Sequence, residues 1–215
     1  MIHGRVRTLP PRIDIVREGE TPHIMRLMLS GWAYRYKQLP DGRRQIVGFF
    51  LPGDICDLHL SILESMDHSL ASITQIELAE VENDMFEAVI ATSPTLKSAF
   101  WWDNLITIAT LREWALNLGQ RTALERIAHL LCELYTRLEK IGAAANQQME
   151  FPLTQMDLGE TCGVSTVHVN RVLKELRLDN LICLEGRLLS FPAMDRLKDL
   201  AAFDPRYLHL GSRGR

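Results

Sequence analysis

Through Val81 the chain shows a two-residue period. Ile13-Asp14-Ile15-Val16 alternates, Ile24 to Leu29 is rich in apolar residues, and Trp32-Ala33-Tyr34-Arg35-Tyr36-Lys37 alternates aromatic with polar side chains. That period predicts half-buried strands. Turn signals fall between them: Pro40-Asp41-Gly42-Arg43 precedes Gln45 to Phe50, and Pro52-Gly53-Asp54 follows it. Ser69 to Glu77 and Leu78 to Val81 supply further strands. Short strands separated by turns predict a small antiparallel roll or barrel.

The period changes near Asp84. From Pro94 to Leu118 there is no glycine and no further proline, and Trp101, Asn104, Ile108, Leu111, Ala115 and Leu118 recur at alternating spacings of 3 and 4 residues. This is a helix with a seam for a partner helix, in which a buried amide at Asn104 would fix register. Trp102, Leu105 and Ile106 offer a second apolar face for packing on the chain's own roll. Asn117-Leu118-Gly119 is expected to break the helix. Thr122 and Glu125 then fit a capping box for a helix running through Ile127, Leu130, Leu131 and Leu134 to about Ile141, with Gly142 as its stop. Ala143 to Met149 reads as a linker.

Residues 153–189 carry the chemistry. Thr154 caps a short helix, Gln155 to Thr161, with Met156 and Leu158 expected on its inner side. Gly163 sits where two helices turn tightly, and Ser165 caps a second helix from Thr166 to about Leu178. In that helix Val169, Val172, Leu173 and Leu176 share one face, while Thr166, Val167, Asn170, Arg171 and Lys174 share the other. An open face of small, amide and cationic side chains suits the DNA major groove. Leu181 to Leu184 and Leu188 to Ser190, joined through Glu185-Gly186-Arg187, form a hairpin beside it.

With 215 residues, 47% of them hydrophobic and 24% charged, the chain has room for one large or two modest domains with a real core. This excludes disordered, collagen-like and acidic solvating chains. No apolar run approaches the ~20 residues of a membrane span, and the N-terminal residues lack a signal-peptide pattern. A cytoplasmic protein with no membrane partner is expected. Cys56, Cys132, Cys162 and Cys183 show neither disulfide nor zinc spacing. The formal charge is −3; residues 1–120 hold 11 Lys and Arg against 15 Asp and Glu, residues 121–215 hold 13 against 12. Any DNA binding must therefore come from a few placed cations.

The stretch Pro152-Leu-Thr-Gln-Met-Asp-Leu-Gly-Glu-Thr-Cys-Gly-Val-Ser-Thr-Val-His-Val-Asn-Arg-Val-Leu-Lys-Glu-Leu-Arg177 closely resembles the winged helix-turn-helix of the Crp/Fnr transcription regulators, as do Arg126-Ile-Ala128 and Asn180-Leu-Ile182. The order of roll, long helix, hinge and winged domain resembles that family over nearly the whole chain. The resemblance implies an α+β fold: an N-terminal antiparallel β-roll of the double-stranded β-helix type over 1–93, a long dimerisation helix over 94–118 and a winged helix-turn-helix DNA-binding domain over 119–215. It implies a homodimer that binds a near-palindromic site on double-stranded DNA and alters RNA polymerase recruitment, with a small effector sensed by the roll. Arg171 stands where the family's guanine-reading arginine stands. Val167 replaces a glutamate that accepts from cytosine N4, so a site unlike the family's usual half-sites is expected at that base pair; valine can touch a thymine methyl but cannot hydrogen-bond. Thr154, Gln155, Ser165 and Arg187 are expected on phosphates. The roles of His168 and Asn170 are left open, and His168 could face the first helix of the motif as easily as the groove.

The family's cyclic-nucleotide binders share a phosphate cassette, and here its glutamate and arginine are replaced by Leu58 and His68, which removes the guanidinium clamp. The iron–sulfur members share an N-terminal cysteine cluster, absent here. Cys56, Asp57, His59 and His68 remain as an effector region, with haem or metal ligation set against simple hydrogen bonding and helix capping. Trp32, Tyr34, Tyr36 and Phe50 either line an apolar effector pocket or form core. A competing class, a cupin-like metal-dependent enzyme, needs a His-x-His and carboxylate spacing that His3, His23, His59 and His68 do not make. No nucleophile–base or phosphate-loop motif is present, so no enzymatic role is expected. An effector or oxidation state would bias two arrangements about an Asn117–Thr122 hinge. The tail from Phe203 to Leu210 is expected to pack back on the fold.

Overall fold

The computed structural model describes residues 4–56 and 64–211, which divide into two compact units at Thr107/Ile108. Asp57 and His59 lie outside the described residues.

The first unit is built on two antiparallel sheets. Strands β1 (Arg5–Leu9), β7 (Ile76–Glu82) and β3 (Ile24–Ser30) form one, in the order β1-β7-β3. Strands β2 (Asp14–Val16), β6 (Ser69–Ser72), β4 (Ala33–Gln38) and β5 (Arg44–Phe50) form the other, in the order β2-β6-β4-β5. Leu9, Val16, Met28, Ala33, Phe50, Cys56, Met66, Leu70, Ile76 and Leu78 make its core. Trp32, Tyr34, Tyr36 and Phe50 are all buried, with Tyr34 and Tyr36 rings 5.6 Å apart, so these aromatics are core.

Three expectations need correcting. Strand β1 escapes the alternation because only Leu9 of its five residues is buried. Its antiparallel ladder with β7 runs from Arg5 opposite Glu80 to Leu9 opposite Ile76, and Arg7 on β1 and Arg26 on β3 both reach Glu80 on that central strand, at 3.5 and 3.3 Å. The strand expected over Ser69 to Glu77 is two strands, because the chain turns at Ile73-Thr74-Gln75 against Trp32, whose carbonyl accepts from the Ile73 N–H at 2.8 Å. Gly31 has φ 81°, and a Cβ there would stand 2.2 Å from the Gln75 carbonyl oxygen, so this crossing requires glycine. Finally, helix α1 (Asn83–Thr92) precedes the long helix; Phe86 and Ile90 bury its inner face with Met25 and Val81, and Phe100 meets Phe86 edge-on at 4.8 Å.

Helix α2 runs Pro94–Gln120, and no helix among the described residues is long and apolar enough to cross a membrane. Gly119 does not break α2: it lies inside the helix, where glycine costs only about 1 kcal/mol, and the chain turns at Arg121-Thr122 instead. Of the second apolar face, Trp102 and Ile106 are half-buried but Leu105 is 53% exposed, alongside Trp101, Ile108, Leu111 and Leu118. Asn104 is half-buried and Ala115 exposed.

The second unit centres on α3 (Ala123–Lys140), which carries the expected Thr122/Glu125 capping box. Ala143 to Met149 is a hairpin, not a linker: β8 (Ala144–Ala145) pairs with β9 (Gln148–Glu150) across Asn146 and Gln147, both at positive φ. Asn tolerates that conformation, and the Gln147 N–H donates to the Tyr135 hydroxyl at 3.1 Å.

Packing α2 on α3 buries polar groups as well as apolar ones. Glu133 has no solvent access; Trp114 Nε1 donates to both its oxygens at 3.2 and 3.0 Å, and the Tyr207 hydroxyl donates at 2.6 Å. Burial pushes the Glu133 carboxyl upward. Beside it the fully buried His129 accepts at Nδ1 from the Asn117 amide at 3.1 Å and lies near Phe203 and Tyr207. Arg121 joins Glu113 at 2.7 Å, Asn117 Oδ1 at 2.8 Å and the Ala202 carbonyl at 3.2 Å. The tail therefore does pack back, with Leu208 and Phe203 buried.

Burial, with Arg121 nearby, pushes the His129 imidazole down from 6.5 to about 3. The unfolded chain thus binds this proton near 6.5 and the folded chain does not, so stability held above that pH is lost as pH falls toward 3, by at most about 1.4 kcal/mol per unit. Glu133, shifted upward, acts with the opposite sign. The difference in urea midpoint between the wild type and His129→Gln therefore isolates the imidazole, and it should shrink from pH 7 to pH 4; a constant difference refutes the assignment.

Candidate nucleic-acid interface

Helices α4 (Gln155–Cys162) and α5 (Thr166–Leu178) make a tight corner. Gly163 takes a left-handed conformation, φ 66° and ψ 37°, and its N–H donates to the Gly159 carbonyl. At Gly159 a Cβ would meet the Val164 carbonyl oxygen at 2.7 Å. The Arg126 guanidinium ties α3 to the corner, donating to the Cys162 carbonyl at 3.0 Å and to the Arg121 carbonyl at 2.8 Å.

Both caps form. The Thr154 hydroxyl accepts from the Asp157 N–H at 3.2 Å and donates to Oδ2 at 2.8 Å, and Oδ2 also takes the Thr154 N–H at 2.7 Å. Asp157, almost fully buried, completes a capping box, for which the Thr-x-x-Asp spacing is the sequence signal. The Ser165 hydroxyl accepts from the His168 N–H at 3.3 Å. Met156 does not face inward: it is 57% exposed in the first turn of α4, next to the exposed Gln155, while Leu158 is buried.

On α5 the expected division holds. Val169, Val172, Leu173 and Leu176 are buried; Thr166, Val167, His168, Asn170, Arg171 and Lys174 are exposed. His168, whose orientation the sequence leaves open, faces outward. Arg177 joins them in the last turn, a cation the sequence reading omitted. Next comes the hairpin of β10 (Cys183–Glu185) and β11 (Leu188–Ser190), turning at Gly186-Arg187. Its strands join β9 and β8 in the order β10-β11-β9-β8, and the Arg187 carbonyl accepts from the Phe151 N–H at 2.7 Å, leaving the Arg187 side chain exposed. Helix α6 (Met194–Leu200) closes the unit.

In the effector region, Cys56 is fully buried, its carbonyl accepting from Arg35 at 2.8 Å. His68 Nδ1 lies 2.6 Å from Asp67 Oδ1, a contact that holds the Asp67 carboxyl below its usual range. Ser69 accepts from the Glu18 N–H at 3.0 Å, and Leu70 is buried core. The described side chains do not fit a cyclic-nucleotide phosphate in the usual mode: the His68 imidazole is engaged and an anionic carboxylate stands beside it. Among the described residues no three His, Cys, Asp or Glu side chains gather as a metal-binding group. Burial pushes the Cys132 and Cys162 thiols up to about 12, which keeps both protonated.

Residues 125–200 match the family model for a Crp-like helix-turn-helix domain, and residues 6–93 match that for a cyclic nucleotide-binding domain. The chain is 26% identical over 197 residues to a "Probable transcriptional activator" of Rhizobium leguminosarum bv. viciae, covering 91% of this chain and 81% of that one. It is 29% identical over 175 residues to the nitrogen fixation regulation protein FixK of Bradyrhizobium diazoefficiens, covering 81% and 73%. The solved structure of FixK2 from Bradyrhizobium japonicum superposes with a TM-score of 0.85 at 25% identity, covering 94% of this chain and 98% of that one.

The corner makes a paired test. Gly159→Ala should destabilise by roughly 1–3 kcal/mol, because the clash is with backbone. Gly119→Ala, whose Cβ meets nothing within 4 Å, should stabilise by up to about 1 kcal/mol. Thermal melts of the two variants moving in the same direction would contradict this packing.

Proposed function

Because the chain belongs to the Crp/Fnr family of transcription regulators, we propose that it acts as a cytoplasmic homodimer on a near-palindromic DNA site, with α5 in the major groove. The observation that carries this reading is the outer face of α5: Arg171, Lys174, Asn170, Thr166 and Val167 stand exposed on a helix whose other face is locked into the core. Arg171 reads guanine as a bidentate donor. Gln155, Ser165, Lys174 and Arg187 hold phosphates; Ser165 keeps a hydroxyl proton to give, whereas Thr154 spends its own on Asp157 and serves chiefly as the cap. RNA polymerase is the downstream partner, and the roll takes a small effector other than a cyclic nucleotide in the usual mode. The matched models and the named regulators support this over a cupin-like enzyme.

The reading is tested by selecting bound duplexes from a random library. A two-fold-symmetric motif is expected. Arg171→Ala should lose roughly ten-fold or more in discrimination at one guanine while leaving non-specific binding nearly unchanged. A uniform loss across sequences refutes base reading.

Dimerisation rests on the apolar stripe of α2, where Trp101, Ile108, Leu111 and Leu118 are exposed in the single chain at the spacing of a helix seam. Leu111→Glu should give monomers in sedimentation, since two-fold symmetry would bury the carboxylate twice. A dimeric variant would move the interface elsewhere.

A further inference from the structure

We propose that Val167 reads the C5-methyl group of a pyrimidine and nothing else on that base, so that thymine and 5-methylcytosine are accepted alike and C5-methylated DNA is a ligand class of this site. The inference rests on the DNA-reading role of α5 and specifies what that role can recognise.

Val167 is 71% exposed in the first turn of α5, so the isolated fold gains little from its side chain there. A single exposed valine is ordinary; its position gives it meaning. It precedes Arg171 by four residues and shares its face, with Asn170 between them and Lys174 one turn further on. A helix rises about 1.5 Å per residue, so four residues cover about 6 Å, or roughly two base-pair steps. The base met by Val167 thus lies within about two pairs of the guanine met by Arg171.

The chemistry of the side chain sets what it can distinguish. An isopropyl group has no donor or acceptor and holds one rotamer about nine times in ten in a helix. Two methyls are presented rigidly, with little rotamer freedom left to lose on contact. In the major groove thymine offers a 5-methyl group beside an O4 acceptor. Cytosine offers an N4 donor and no methyl, and 5-methylcytosine offers the same donor with thymine's methyl. Valine cannot hydrogen-bond O4 or N4, so it separates these bases by the methyl alone. Methylation of cytosine at this base pair would convert a poor site into a good one.

The experiment takes the full chain and the motif from selection, and finds the base pair whose preference differs between the wild type and Val167→Ala. Four duplexes are then compared there: thymine, uracil, cytosine and 5-methylcytosine. Thymine should bind more tightly than uracil, and 5-methylcytosine more tightly than cytosine, each by about fourfold, the worth of one buried methyl-sized group. Val167→Ala should erase both differences and keep the preference set by Arg171. Uracil binding as tightly as thymine, 5-methylcytosine binding as weakly as cytosine, or Val167→Ala shifting no base preference would each overturn the inference while leaving DNA binding intact. Failure of selection to yield any motif counts against the DNA-reading role itself.

Discussion

The C-terminal unit depends on a carboxylate placed where water cannot reach it. Glu133 projects from the middle of α3 into a closed interior, where an ionised group without donors would cost several kcal/mol. Its hydrogen-bond donors come from outside its own helix, the Trp114 indole on α2 and the Tyr207 hydroxyl in the tail, while Arg137, one turn further along α3, stands at 3.8 Å. Burial and the neighbouring carboxylate push the Tyr207 hydroxyl upward, which keeps its proton on the oxygen and available to donate. One buried side chain therefore ties together the end of α2, the body of α3 and the segment that follows α6. The tail has a structural reason to extend past α6: it delivers Tyr207, Phe203 and the Ala202 carbonyl to that interior.

The same platform carries the candidate interface. Arg121, which closes the turn after α2, is held by Glu113, Asn117 and Ala202, and its own carbonyl accepts from Arg126. Arg126 in turn holds the Cys162 carbonyl at the α4–α5 corner. The path from Glu113 to the C-terminal end of α4 is thus a chain of short polar contacts within one unit. The segment expected to act as a hinge, Asn117–Thr122, is braced by Arg121 within it, which bonds Asn117, and by Arg126 beyond it, which bonds the Arg121 carbonyl, so movement there must break hydrogen bonds and not merely rotate a loose loop. Any signal that repositions α5 has to supply that free energy through differential contacts.

Legibility followed how local each cause was. The Thr122 and Ser165 caps, the Gly163 turn and the buried quartet of α5 were readable because a cap, a left-handed glycine and a 3.6-residue period are each settled within a few residues. Strand β1 was not, since four of its five residues are exposed and the strand it pairs with, β7, lies about seventy positions away. The Asn146-Gln147 turn lacks a glycine and leans on Tyr135, so it looked like a linker. Met156 was placed inward by its apolarity, although its position beside the cap turns it outward. The Glu133 cluster was invisible because a glutamate in a helix is normally read as solvent-facing, and its donors lie far off in sequence. At the candidate site, the outward identity of Thr166, Val167, Asn170, Arg171 and Lys174 was legible, while the orientation of His168 and the service of Thr154 as an internal donor were not.

The sparse charge of the C-terminal half shapes what kind of DNA reader α5 can be. Residues 121–215 hold nearly as many acids as bases, 12 against 13, and exposed Glu175, Asp179 and Glu185 stand near the cations of α5 and the hairpin. Phosphate contacts supply affinity without sequence information and weaken steeply with salt, by about 0.9 log units per log unit of salt for each contact. A protein with few free cations therefore begins from weak non-specific binding and must find its affinity in the grooves. The positive end of α5, capped by Ser165, the guanidinium of Arg171 and the methyls of Val167 are the groups available for that. A contact of Val167 with a pyrimidine methyl, as proposed above, would be apolar and release no counterions, so its share of discrimination would persist at ionic strengths that strip away phosphate contacts. In the proposed complex, replacing a charged or hydrogen-bonding group with valine at the head of α5 is consistent with the rest of the surface: recognition shifts from charge toward shape.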